Sequence, residues 1–185
     1  LGGGGVHLHV WAFMLRAWRD PHGMDGGDTG PSNAVIEELQ ANVGAGIMGR
    51  NMFGGGPGPW DEDEPWSGWW GEQPPFHTPI YVLTHHPRDP LALGDTTFHF
   101  VTGGIENALE QARADAGERD VQIHGGAATI QQYLAAGLVD EFELHVAPVI
   151  LGAGRFLLED VGELKLEQIR AVEAPGVTHL KYAVR

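Results

Sequence analysis

Three stretches of the chain place phosphate-binding groups directly after an apolar run. In Ile47-Met48-Gly49-Arg50-Asn51 the run passes straight into Gly-Arg. Gly49 lets a ligand approach the backbone closely, and the planar guanidinium of Arg50 offers a fork of donors suited to phosphate oxygens. The plainer alternative is an ordinary turn with a surface arginine. In Val121-Gln122-Ile123-His124-Gly125-Gly126-Ala127-Ala128 a strand ends in two glycines and a helix begins at once. That order aims the first helical N–H groups, at Ala127, Ala128 and Thr129, and the positive end of the helix dipole at whatever sits above Gly125-Gly126. A tight strand-to-helix turn is the alternative, but it does not need two adjacent glycines. Three spaced glycines of the Rossmann fingerprint are absent, which disfavours that fold. In Leu83-Thr84-His85-His86-Pro87-Arg88 the Thr84 hydroxyl, His85 and Arg88 form a set that suits a monophosphate, such as the 2′-phosphate that marks NADP. Two surface histidines and a surface arginine explain the same residues.

Such groups act together only if parallel strands bring their carboxyl ends side by side. Residues 32–43 predict a helix capped by Ser32 or Asn33, with Val35, Ile36 and Leu39 on one face. Residues 45–48, 79–84, 97–101 and 120–124 predict apolar strands. Thr102 is expected to cap a helix that carries Ile105, Ala108, Leu109 and Ala112 and stops before Gly117. Residues 127–136 predict another, ending at Gly137. Beyond it, residues 142–146, 164–167 and 178–184 alternate, as antiparallel strands with one wet face do. Residues 19–31 and 54–79 are rich in Gly and Pro and predict loops, the second long enough to suggest a function. Helix-linked apolar strands followed by an antiparallel tail predict a three-layer α/β domain with a mixed, mostly parallel sheet.

The bulk properties narrow the function. The 185 residues suit one domain, 1–185, and no apolar run is long enough for a membrane helix. Lys and Arg number 11 against 25 Asp and Glu, a formal charge of −14 that disfavours nucleic-acid binding. There are no cysteines, hence no disulfide framework and no thiolate chemistry, and a cytoplasmic home is expected. A phosphorylated cofactor would have to be held by backbone N–H groups and a few placed cations, because the overall field repels it.

Residues 97–156 resemble the reductase domain of the bacterial riboflavin deaminase-reductases and their stand-alone relatives, within the dihydrofolate-reductase-like superfamily. The matching residues are Gly125-Gly126-Ala127, the run from Tyr133 through Gly137 to Glu141, and Leu144-His145-Val146-Ala147-Pro148-Val149-Ile150-Leu151-Gly152. Met48-Gly49-Arg50 and residues 79–84 extend the likeness. The resemblance implies a dihydrofolate-reductase-like fold and an NADPH-dependent oxidoreductase that transfers hydride to a small heterocycle, aminopyrimidine-like or pterin-like. It implies that Gly49, Arg50 and Asn51 meet the phosphates of NADP(H), and Thr84 and His85 its adenosine end. Gly125 and Gly126 would carry the pyrophosphate, with a cis peptide between them, and Ala127, Ala128 and Thr129 would follow at the helix start. A homodimer is a further implication, with no membrane or nucleic-acid partner. A non-catalytic nucleotide-binding protein on the same fold is the alternative.

Two departures stand out. Dihydrofolate reductases carry a carboxylate early in the helix before Met48-Gly49-Arg50, and counting back places Asn33 there, as a candidate substrate-pocket residue. An amide cannot supply the proton network that reduction of a pterin uses. Family members also open with a strand and an Asp-Gly turn that is not found before Leu1, so that strand is expected to be missing or replaced. His7, His9, His22, His85 and His86 place no third ligand by spacing, and no metal site is expected from them. Trp60, Trp66, Trp69 and Trp70 flank an acidic run, Asp61-Glu62-Asp63-Glu64. Local packing of the rings is the plain reading; a lid or subunit contact is the functional one. Asp140 and Glu141, at the start of an edge-forming strand after a helix, read as capping and turn residues.

Overall fold

The structure is a computed structural model and describes residues 5–61, 63 and 65–185. Leu1 and the three glycines after it, and Glu62 and Glu64 of the acidic run, lie outside the described residues. In chain order the elements are α1 (Val10–Phe13), α2 (Arg16–Arg19), α3 (Pro31–Ala41), β1 (Val43–Gly49), α4 (Arg50–Phe53), β2 (Ile80–Leu83), β3 (Leu91–Leu93), β4 (Thr96–Val101), α5 (Gly104–Ala116), β5 (Asp120–Gly125), α6 (Ala127–Ala135), β6 (Glu141–Val146), β7 (Leu166–Ala174) and β8 (Val177–Val184). The chain is a mixed α/β protein with a mostly parallel sheet and antiparallel C-terminal strands. Among the described residues no helix is long and apolar enough to cross a membrane.

The chain divides into two compact units. Residues 42–133 hold a five-stranded sheet in the order β3-β4-β2-β1-β5. β4, β2, β1 and β5 run parallel, and only β3 is antiparallel, paired with β4 across the turn at Gly94-Asp95. Burial on both faces is why the central strands read as apolar runs. Met48, Phe53, Ile80, Val82 and Phe98 form the fully buried centre. α5 lies on β1 and β2 through Ala108, Leu109, Ala112 and Ala116. Its last turn comes so close to β1 that a Cβ on Gly44 would stand 2.8 Å from the Ala116 Cα.

The other unit joins residues 1–41 to 134–185 and holds an antiparallel sheet in the order β6-β8-β7. α3 packs on β7 and β8. Leu15, Ala17, Val35, Val177 and Ala183 are buried there, together with the polar Ser32, Asn33 and His179.

Four local expectations are corrected. The helix at 32–43 starts at Pro31 and stops at Ala41, so Ser32 and Asn33 lie inside it and Val43 opens β1. Pro suits the first helical position because its missing N–H has no partner to lose there. Gly103, not Thr102, caps α5. The loop at 19–31 contains a short 3-10 turn at Asp20–His22. β3 was not anticipated: three residues beside Pro90 carry too little alternation to register.

Candidate active site at the carboxyl edge of the parallel sheet

Because β4, β2, β1 and β5 are parallel, their carboxyl ends form one edge. The register pairs Gly49 with Leu83, Leu83 with Val101, and Met48 with Gly125. The three stretches singled out by sequence therefore end side by side, although they are far apart along the chain. This edge is where open α/β sheets bind ligands.

At the end of β5 the Gly125–Gly126 peptide is cis and Gly125 has φ 120°, a conformation that side chains rarely adopt. The Gly126 carbonyl accepts the N–H of Thr129 at 3.0 Å and of Ile130 at 3.1 Å. The N–H groups of Ala127 and Ala128 are then first-turn donors that a helix cannot satisfy internally. A Cβ built on Gly126 would meet nothing within 4 Å, so the turn is open at Gly126. Thr129 is buried, and its hydroxyl packs so closely on Gly49 that no Cβ fits there. Gly49 is thus required by the approach of α6 to β1.

Arg50 opens α4 but folds back on the glycine-rich loop. Its Nε donates to the Gly54 carbonyl at 2.9 Å and its Nη2 to the Gly55 carbonyl at 2.8 Å, while Nη1 is buried with no hydrogen-bond partner. The guanidinium lies 3.0 Å from the centroid of Trp60, and Arg88 stands 4.9 Å from the same ring. Burial lowers the pKa of both arginines, and the Arg88 charge lowers that of Arg50 further. Two guanidiniums on one aromatic ring repel each other, so an anion between or beside them would relieve the repulsion.

The third stretch is a turn. The Thr84 hydroxyl accepts the His86 N–H at 3.1 Å, and the His86 carbonyl accepts the Trp60 indole N–H at 2.9 Å. Arg88 Nη1 donates to the Trp66 carbonyl at 2.5 Å. His85 and Asn51 are exposed at this edge. The tryptophans turn out to belong to the core: Trp60, Trp66 and Trp70 pack against the Phe53 and Phe98 cluster, and only Trp69 stays largely exposed, at 66%. Asp61 and Asp63 are the described members of the acidic run.

The RibD C-terminal domain family matches residues 17–180. The chain belongs to the RibD C-terminal domain family. The uncharacterised protein YyaP of Bacillus subtilis is 34% identical over 86 residues, 45% of each chain, so the match spans about half the length of that relative. A solved structure from Shewanella sp. PV-4, whose name assigns it to riboflavin biosynthesis, superposes with a TM-score of 0.58 at 24% identity over 85% of this chain and 84% of that one. Enterococcus faecalis dihydrofolate reductase, solved with NADP(H) and RAB-propyl, superposes with a TM-score of 0.51 at 15% identity over 86% of each chain. The fold is therefore dihydrofolate-reductase-like.

Within this RibD C-terminal domain, Asn33 lies in the other unit. It is 1% exposed, and its Oδ1 accepts the Ala17 N–H at 2.7 Å. In that position it ties the start of α2 to α3. Two features of the edge escaped sequence reading. Gly103-Gly104 repeats, after β4, the strand-Gly-Gly-helix order seen after β5, and that repetition was the available signal. Trp60 as the platform for Arg50 left no signal, because a ring ten residues away in a loop has no periodic relation to it.

Proposed function

We propose that this domain is an NADPH-dependent reductase that acts on a small heterocycle, aminopyrimidine-like or pterin-like, at the carboxyl edge of the parallel sheet. The observation that carries the reading is the convergence of Gly49-Arg50, Thr84-His85 and the cis Gly125-Gly126 turn on one edge. The residues fit a dinucleotide. Ala127 and Ala128 offer first-turn backbone N–H groups next to the open Gly126, which suits a pyrophosphate. Arg50 adds a buried, unpartnered Nη1, and Thr84, His85 and Asn51 line the neighbouring strand ends. When bound, NADPH supplies the hydride, and the protein supplies position and polarity. The E. faecalis dihydrofolate reductase of like fold holds NADP(H), which supports the choice of cofactor.

Titration with NADPH tests this directly. Saturable quenching of tryptophan fluorescence is expected, with thermal stabilisation worth ~2.7 kcal/mol at 100 times Kd. Arg50→Ala should weaken binding at least tenfold. A chain that shows neither quenching nor stabilisation defeats the reading. A second reading, nucleotide binding without turnover, is favoured by Asn33, a buried amide already engaged by Ala17, at the position that counting back from Met48-Gly49-Arg50 matches to the dihydrofolate reductase carboxylate. NADPH oxidation with a panel of pterins and aminouracils separates the two: turnover supports the reductase, and binding without turnover supports the alternative.

The reading includes a homodimer. Val149, Ile150, Leu151 and Phe156 are exposed in one short segment, Ile150 at 99%, and a second copy of the chain would cover these apolar side chains. Sedimentation of a monomer at all concentrations would remove that part.

A further inference from the structure

Outside the cofactor edge, the three-stranded sheet carries a second polar centre. His145 on β6 and His179 on β8 are register partners, and their Nδ1 atoms face each other at 2.7 Å. Glu143, two residues before His145 and so on the same face of β6, brings a carboxylate oxygen to the pair: one ligand atom from each of the three lies within 4.8 Å of the others. We propose that Glu143, His145 and His179 form a site for a divalent transition ion of the zinc class, with a fourth position left to water or another ligand.

Ligand type argues for this ion class. Two imidazoles and one carboxylate suit zinc and its neighbours, whereas calcium and magnesium want oxygen alone. Nitrogen ligands at ~2.0–2.1 Å from a tetrahedral ion stand ~3.3–3.4 Å apart, so the two rings need part by only about 0.6 Å. Groups behind the ligands are already in place. Metal-bound histidines use their other ring nitrogen to fix the tautomer, and here His179 Nε2 lies 2.9 Å from the Ser32 hydroxyl. Metal-bound carboxylates are themselves hydrogen-bonded, and Glu143 accepts from Arg170 Nη2 at 3.1 Å. Trp11 covers the pair, with its ring 5.2 Å from His145 and 5.1 Å from His179. Among the described residues, Glu143 belongs to an ion-pair chain through Arg170, Glu38, Lys181 and Glu141, three carboxylates to two cations. The balance therefore accommodates a cation. His179 is fully buried but His145 is only partly so, which gives an ion a way in.

The test uses the full chain stripped with a chelator and titrated with Zn2+ and, separately, Co2+. One equivalent of Zn2+ is expected to bind, and Co2+ should show the visible bands of a four-coordinate ion. His145→Gln and Glu143→Gln should each lower zinc affinity ~100-fold, and Ser32→Ala, which disturbs only the tautomer, about tenfold. Nitrogen NMR of the wild-type chain locates the ion without any variant: the ring signals of His145 and His179 should move with the first equivalent and then stop. If either variant fails to fold, that measurement decides alone. No zinc uptake by the wild type, unchanged affinity in a folded His145→Gln chain, or movement confined to exposed histidines such as His7 and His22 would each overturn the site. NADPH binding plays no part in these readouts, so the cofactor reading stands or falls separately.

Discussion

His124 shows at one residue how burial and chemistry meet. It precedes the cis turn, packs edge-on against Phe76 at 5.0 Å, and its Nε2 is covered with no hydrogen-bond partner. A Cβ on Gly46 would stand 2.5 Å from that nitrogen, so β1 keeps a glycine where the ring lies. Burial drives the His124 pKa from the ordinary 6.5 to about 4. The unfolded chain then takes up a proton that the folded chain refuses across this interval, so stability is full above pH 6.5 and falls as the pH drops towards 4. One such group accounts for about 3 kcal/mol over the window. In His124→Leu the acid limb should lose one proton's slope, ~1.4 kcal/mol per pH unit. Urea midpoints measured from pH 7 to pH 4 check this, and parallel limbs for the two chains would refute it. Arg50 teaches the complementary lesson. Its type and its place after β1 were legible in sequence, but its contacts with Trp60 and the Gly54 and Gly55 carbonyls depend on a loop without periodicity.

Between elements, the parallel sheet is tied to its covering helix by a polar contact as well as by apolar packing. Tyr81 on β2 is 3% exposed, stacks on His99 and donates from its hydroxyl to Asp115 of α5 at 2.6 Å. Burial and the Asp115 carboxylate both raise the Tyr81 pKa, so the phenol stays a donor at any ordinary pH. Tyr81→Phe keeps the ring and the stacking and loses only the hydrogen bond. Since Asp115 remains accessible to water, the expected cost is about 1 kcal/mol, read as a lower urea midpoint with an unchanged m-value. A neutral substitution would mean the bond contributes nothing beyond what water supplies. The elements that sequence located best are β1 and β2, whose apolar runs are buried on both sides. Boundaries failed where one residue serves two structures: Val43 continues the apolar pattern of α3 yet opens β1, and Thr102 is a good cap one position too early. β3 and the inward-turned Trp60, Trp66 and Trp70 were hidden because proline-rich loop sequence carries no pattern that predicts packing.

For the whole molecule, pairing order is what local sequence cannot express. β8 lies between β6 and β7, and β1 between β2 and β5, so each sheet joins strands that are not neighbours in the chain. Composition, by contrast, acts without regard to topology. A formal charge of −14 surrounds an edge proposed to take a polyanionic cofactor, and Arg50 and Arg88 are the cations on its Trp60 ring. At low ionic strength the Debye length of ~30 Å lets distant carboxylates repel an approaching NADPH, whereas at ~0.15 M it shrinks to ~8 Å and only the local arginines are felt. The association rate constant for NADPH should therefore rise a few-fold between ~0.01 M and ~0.15 M salt, the reverse of the dependence at a basic site. Stopped-flow fluorescence quenching measures it, with dissociation followed separately by dilution. If association instead slows as salt is added, the field at the edge is set by Arg50 and Arg88 and not by the acidic surface, and the repulsive steering inferred from composition is wrong.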